Sequence, residues 1–131
     1  NIGAYATTIT SDTFCTGALV LHHTLKATST PHPLLALTTP SVSRDCATLL
    51  SHSGMIVRRV PDIPNPNPHH KAHFRDVYAK LHIFNLAGYT RVIYLDCDVI
   101  VLRSLDHLFP SAPPLSAASE INPPLLFNSG V

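Results

Sequence analysis

The sequence predicts an α/β domain: a mostly parallel sheet with helices on both faces. Three observations carry this. Apolar residues make up 45% of the 131 and charged residues 13%, the balance of a globular core and not of a disordered chain. Short apolar or β-branched runs alternate with segments of helical periodicity in the order strand, helix, strand, helix, strand, helix, strand, as in a parallel sheet with crossover helices. The run at 34–37 is wholly apolar, which suits a strand buried on both faces.

Residues 4–10 are rich in aromatic and β-branched types and predict the first strand, with Ser11 and Asp12 offering a helix cap. Phe14, Ala18, Leu21 and Leu25 recur at helical spacing and predict a helix to about residue 27, broken by residues 28–33. After the strand at 34–37, residues 38–41 form a loop with a capping residue. A second helix covers 42–53 and stops at Gly54. Residues 55–60 read as a strand. Pro61, Pro64, Pro66 and Pro68 make 61–70 a loop. A third helix fits 73–86, with Phe74, Val77, Leu81 and Phe84 along one face and Gly88 beyond its end. Residues 91–95 are the strongest strand, and 99–102 extend its apolar run. A short helix capped by Ser104 is expected over 105–109. Residues 110–124 hold five of the twelve prolines and read as loop, and 125–127 begin another strand.

The bulk numbers exclude several function classes. A formal net charge of +1 with neutral histidines leaves no electrostatic footprint for nucleic acid, and Arg58, Arg59 and Arg75 are too few to make a patch. No apolar run reaches the roughly 20 residues that span a bilayer. The three cysteines, Cys15, Cys46 and Cys97, are odd in number and widely spaced. That argues against a disulfide framework or a zinc knuckle and predicts free, mostly buried thiols in a reducing compartment. There is no glycine-rich nucleotide loop and no nucleophile elbow. His69, His70 and His73 are neighbours, but their proline-rich setting predicts a solvated loop over a metal site. His22 and His23 are expected on a helix surface. The chain opens on Asn1, and a strand pattern is only beginning at its last residues. It is therefore expected to be a single partial domain, 1–131, of a longer protein truncated at the C-terminus, and an inactive nucleotide-binding fragment stands as an alternative to an active enzyme.

Parallel sheets place their ligands beyond the carboxyl ends of the strands, here residues 10–14, 38–41, the proline loop and 96–98. Asp96 and Asp98 stand inside an apolar run. If the backbone continues extended, alternate residues face one side and both carboxylates point the same way. Burying an uncompensated carboxylate is costly, so the pair calls for a cation or a strand end open to water. Mg²⁺ or Mn²⁺ bridging the acids to a diphosphate meets that need, because both favour carboxylate and phosphate oxygens. Two other readings stand beside this one. In the first, Asp96 ends the strand and Asp98 opens a solvated turn. In the second, Asp96 is the nucleophile of a haloacid-dehalogenase-like phosphatase. That motif usually follows a first strand and continues to Gly-Thr or Thr, whereas three strand–helix units precede it here and Val99 and Ile100 follow.

Four stretches then occur in sequence: Tyr5-Ala-Thr-Thr-Ile-Thr-Ser-Asp12 with Cys15-Thr-Gly-Ala-Leu-Val-Leu21; Tyr78-Ala-Lys-Leu-His-Ile-Phe84; Arg91-Val-Ile-Tyr-Leu-Asp-Cys-Asp98 with Ser104-Leu-Asp-His-Leu-Phe109; and Phe127-Asn-Ser-Gly-Val131. Together they resemble glycosyltransferase family 8, in its glycogenin-like branch. The resemblance runs from residue 5 to the end and is far more specific than the two acids alone.

The resemblance implies a Rossmann-like nucleotide-diphospho-sugar transferase fold, the A-type glycosyltransferase fold. It implies a UDP-sugar donor, UDP-glucose first, used with Mn²⁺ (or Mg²⁺), and retaining transfer of a hexosyl group to a carbohydrate or protein acceptor. Asp96 and Asp98 match the metal-binding acids, with Cys97 between them in the donor-binding stretch. Lys80 matches a lysine near the diphosphate and sugar; with Asp98 it is an expected catalytic group. Thr8, Thr10 and Ser11 match positions lining the uridine. Phe14 matches an aromatic that stacks on uracil, a flat base suited to an aromatic face. Asn128 and Ser129 match donor-sugar contacts, and Glu120 an acid near the sugar. The branch has a tyrosine where Phe14 stands, so a hydroxyl is lost and stacking kept. Its third metal ligand, a histidine, and its acceptor-sugar acids fall downstream of residue 131. A homodimer and a cytoplasmic location accord with the branch, with the Golgi lumen left open. Tyr5, Tyr78, Tyr89 and Tyr94 sit in or beside predicted core elements, so none is expected to be a self-glucosylation acceptor.

Overall fold

The computed structural model describes residues 2–66, 77–122 and 126–130. Strand β1 (Gly3–Ile9) is buried along its whole length, because it lies inside the sheet and is covered on both faces. β2 (Leu34–Thr38), β3 (Ile56–Arg59) and β4 (Arg91–Tyr94) complete a four-stranded sheet in the order β3-β2-β1-β4. All its pairings are parallel, so every strand ends on the same edge.

The period-two alternation of β1 divides the core. Tyr5 and Ile9 face a cluster with Leu21 and Leu25 of α1 (Cys15–Ala27) and with Cys46 and Leu50 of α2 (Arg44–His52). Ala4 and Ala6 face the other way, against Ile83, Leu86, Tyr89 and Val92. Helices thus cover both faces, as the hydrophobic pattern predicts. Ser43, not a residue of 38–41, caps α2: its side chain accepts from the Cys46 N–H at 3.1 Å. Gly54 follows α2 with φ of +103°, a left-handed conformation that glycine adopts without a Cβ penalty.

Several expectations are corrected. Residues Val77–Asn85 form a 3-10 helix, not part of an α-helix; residues 73–76, with Phe74 and Arg75, lie outside the described residues, as do His69, His70 and His73. With three residues per turn, side chains at i and i+3 eclipse. Lys80 and Ile83 therefore share a face, and Ile83, with Leu86 just past the helix end, packs on the sheet. The face expected inside is turned out, with Phe84 71% exposed.

The apolar run does not continue as a strand after β4. Residues 97–98 turn, with the Val99 N–H donating to the Asp96 carbonyl at 3.2 Å. Val101 is then buried while Leu102 is exposed. Helix α3 is Leu108–Ser111, later than expected, because Ser104 serves a turn at Asp106 instead of a cap. A second, antiparallel sheet joins β5 (Ala118–Ser119), in a segment expected to be loop, to β6 (Phe127–Asn128); Leu125 lies outside the described residues.

Two thiols are not free. Cys15 and Cys46 form a disulfide across a sequence separation of 31, with their Cα atoms 6.1 Å apart. Widely spaced cysteines meet here because α1 and α2 lie side by side with their first turns at the same end. Cys97 is free. His22 is buried on α1, with Nδ1 3.4 Å from Ser53 Oγ, while His23 is exposed as expected. No helix among the described residues is long and apolar enough to cross a membrane.

Candidate functional site

The carboxyl ends of β1 and β4 bring the predicted residues together. Ala6 pairs with Tyr94; two residues further stand Thr8, on β1, and Asp96, just beyond the end of β4, on the face that the 3-10 helix covers. Lys80 shares the face of Ile83, so packing of that face carries its ammonium to the strand end. Lys80 Nζ lies 2.9 Å from Asp96 Oδ1 and 3.4 Å from Ser129 Oγ. The Tyr94 hydroxyl donates to the same Asp96 oxygen at 2.8 Å and lies 2.8 Å from Thr8 Oγ1. Lys80 Nζ also sits 5.4 Å from the centre of the Tyr94 ring, within the range of a cation–π contact.

Asp96 is anchored through its backbone too, its N–H donating to the Gly130 carbonyl at 3.0 Å. The Asn128 side-chain oxygen accepts from the Gly130 N–H at 2.8 Å. A Cβ at Gly130 would collide with Asp96 Oδ2, so a larger residue there would have to displace that carboxylate. Space is also short on the other side of the turn, where a Cβ at Gly17 of α1 would lie 2.7 Å from the Cys97 carbonyl oxygen. The 96–98 turn is thus wedged between two glycines.

Asp98 is exposed, with no hydrogen bond or ion pair to its carboxylate among the described residues. The turn replaces the alternation expected of an extended chain, so Asp96 is engaged by protein donors while Asp98 is open to solvent. Cys97 is half-buried; burial, then the charges of Asp98 and Asp96, push its thiol above the usual cysteine range, which keeps it protonated and poorly nucleophilic. Burial chiefly raises the Tyr94 hydroxyl as well, so it stays a donor.

Thr10, Ser11 and Phe14 line the same end of β1, with side chains outside the Asp96 group. Ser11 Oγ bonds Thr13 Oγ1 at 2.6 Å and caps nothing. Asp12, one residue later, accepts from the Ser43 N–H at 2.7 Å; that bond holds its carboxyl below the usual range and ties this turn to α2. Phe14 is 44% exposed, not part of the α1 core face; its ring is free to stack. Glu120 is not brought to the group: its Oε1 accepts from the N–H groups of Ile121 at 3.0 Å and Asn122 at 3.5 Å.

Sequence reasoning missed Tyr94 as a site residue, although its two-residue spacing from Asp96 signals a shared side of the strand. It also missed Gly17 and Gly130, whose close approaches depend on tertiary packing. Clefts of about 270 and 380 Å³ flank Arg59 on the sheet's far edge, and neither is lined by the Asp96 group.

The donor set suits a hard cation in kind. Both protein donors to the Asp96 carboxylate fall on Oδ1, Oδ2 packs against Gly130, and the Asp98 carboxylate is uncommitted. In number it is short: no group of three or more His, Cys, Asp or Glu placed to hold a metal occurs among the described residues.

Comparison with known proteins follows the same lines. A family model described as "Glycosyl transferase family 8" matches residues 20–121. The chain is 37% identical over 106 residues to inositol phosphorylceramide glucuronosyltransferase 1 of Arabidopsis thaliana, covering 81% of this chain and 20% of that one. It is 36% identical over 134 residues to glycogenin-1 of Caenorhabditis elegans, covering 98% and 31%. To glycogenin-2 of Homo sapiens it is 35% identical over 133 residues, covering 98% and 26%. Among solved structures, the fold matches the galactosyltransferase LgtC in complex with donor and acceptor sugar analogues, with a TM-score of 0.59 and 22% identity over 81% of this chain and 41% of that one. The A-type glycosyltransferase fold is thereby shown. The chain spans a fifth to a third of the length of these curated relatives.

Proposed function

The chain belongs to glycosyl transferase family 8, and from that premise we propose that it is the nucleotide-sugar-binding part of a glycosyltransferase that moves a hexosyl group from a UDP-sugar to a carbohydrate or protein acceptor. The observation that carries this reading is the Lys80–Asp96 pair at 2.9 Å on the β4 end, beside the uncommitted Asp98. A cation and two acids at one strand end are the groups needed to hold a sugar diphosphate.

Asp96 and Asp98 would hold a divalent ion, Mn²⁺ first and Mg²⁺ second. Such an ion, when bound, neutralises charge that grows on the departing diphosphate. Lys80 adds a second positive charge on the same side and orients the phosphates. Thr8, Thr10 and Ser11 line the uridine, Phe14 stacks on the base, and Asn128 and Ser129 contact the donor sugar. No residue of the group is placed as a covalent nucleophile: Asp96 is engaged by two donors, and the Cys97 thiol is held protonated. Retention of configuration rests on the family resemblance. The phosphatase alternative has no support from a family match that is a glycosyltransferase one.

The test is UDP release from UDP-glucose, UDP-galactose and UDP-glucuronate by the full chain, with Mn²⁺ and with a chelator. Release that depends on Mn²⁺ and favours UDP-glucose is expected. Phosphate release from simple phosphate esters, abolished in Asp96→Asn, would instead favour the phosphatase.

A further inference from the structure

Two donors converge on one oxygen of Asp96. Lys80 Nζ reaches Oδ1 at 2.9 Å, and the Tyr94 hydroxyl donates to it at 2.8 Å. The Tyr94 oxygen is also 2.8 Å from Thr8 Oγ1. Tyr94 has one proton and gives it to the carboxylate, so Thr8 is the donor in the second bond. The order of donation is Thr8 to Tyr94 to Asp96.

The two donors to Asp96 differ in freedom. Lys80 ends a flexible stem, has Ser129 as a second partner and is a quarter exposed. Tyr94 ends β4, is only 8% exposed, and has two rotatable side-chain bonds. A buried hydroxyl needs a partner, and this one has a partner on each side. Tyr94 is therefore the fixed support of the carboxylate and Lys80 the movable one, able to turn to a phosphate while Asp96 stays in place.

We propose that Tyr94 is the positioning residue of the donor site: backed by Thr8, its hydroxyl fixes the Asp96 carboxylate in the orientation in which it would serve the cation and its diphosphate. The proposal rests on the metal–diphosphate reading given above. It makes Tyr94 a partner that orients a ligand without touching the cation.

The experiment is titration of the full chain with Mn²⁺ in the presence of UDP, read by the electron paramagnetic resonance of free Mn²⁺, with thermal melting measured alongside. Tyr94→Phe keeps the ring and removes the hydroxyl. It is expected to melt cooperatively and to bind Mn²⁺ about 10- to 100-fold more weakly, the usual effect of losing a group that orients a metal ligand. Replacing Tyr94 with 4-aminophenylalanine keeps a donor at that place and is expected to bind as wild type. A purely structural role would lower the melting temperature and leave the affinity of the folded protein unchanged. Wild-type affinity in Tyr94→Phe, with affinity lost in Asp96→Asn, overturns the proposal and leaves the metal site standing. Wild-type affinity in Asp96→Asn overturns the metal reading and the proposal together. If Tyr94→Phe does not fold, the aminophenylalanine protein decides: wild-type affinity upholds the proposal, and affinity as weak as that of Asp96→Asn overturns it.

Discussion

Lys80 and Asp96 keep 25% and 31% of their side-chain surface in water, so their pair contributes little to folding, about 0–1 kcal/mol. Its value is functional. Lys80→Met should therefore leave the urea midpoint almost unchanged and lower turnover about a hundredfold, as loss of one charge-stabilising donor does. An equal loss of stability and turnover would make Lys80 a structural residue. Gly17 answers to packing instead. Gly17→Ala gains about 1 kcal/mol of helix propensity, but its Cβ would meet backbone, the Cys97 carbonyl, at 2.7 Å. Overpacking of that kind costs about 1–3 kcal/mol, so a lower melting temperature is expected, with weaker UDP binding because the 96–98 turn must shift. His22 sets a pH dependence. Burial first, then Lys26 and His23, hold its folded value below the ordinary one, whereas an unfolded histidine titrates near 6.5. Between those values the unfolded chain binds more protons, so stability rises with pH. It is full above about pH 6.5 and falls as pH drops through the folded value. Urea midpoints on either side of that window should show the fall, and His22→Gln should flatten it. Asp106 acts lower. Burial pushes its carboxyl up, but the hydrogen bonds from Tyr5, Thr30 and Ser104 outweigh this and hold it below the usual range. Its stabilisation is present above about pH 4 and is lost as pH falls through the folded value. Of the site residues, Asp96 and Asp98 were legible because charge in an apolar run stands out, whereas Lys80 and Ser129 were picked out only by the family resemblance. Tyr94 was not, because a tyrosine in a strand reads as core.

At the level of elements, the strands and the first two helices were legible because their apolar periods, 2 and 3.6, differ clearly and their ends carry glycine, proline and serine. The 3-10 helix was not: over nine residues, periods of 3 and 3.6 select overlapping positions, and only packing on Ala4, Ala6 and Leu35 turns Ile83 inward and Leu81 out. The pairing of Cys15 with Cys46 was hidden for a different reason, since it depends on two helices lying side by side and not on spacing. Closing a loop across 31 residues constrains the unfolded chain by about 3–4 kcal/mol in the chain-entropy view. Dithiothreitol is accordingly expected to lower the melting temperature of the wild type and not of Cys46→Ser. Thiol counting of the unreduced, denatured chain should find Cys97 alone; three reactive thiols would show that the disulfide is absent.

At the level of the whole molecule, an all-parallel main sheet delivers the ends of β1 and β4 to one edge, and its two packed faces supply the groups that meet there. Face one contributes α1, whose Gly17 admits the Cys97 carbonyl; face two contributes the 3-10 helix, which delivers Lys80. This architecture was legible from the alternation of apolar patterns, and the family resemblance gave the strand-end residues their roles. The central claim is that this edge binds a UDP-sugar through a cation held by Asp96 and Asp98. Calorimetric titration of the full chain with UDP, with and without Mn²⁺, in wild type and Asp98→Asn, tests it most directly. Binding that requires Mn²⁺ and is lost in Asp98→Asn is the predicted result; UDP binding that is absent, or indifferent to both Mn²⁺ and Asp98, would contradict it.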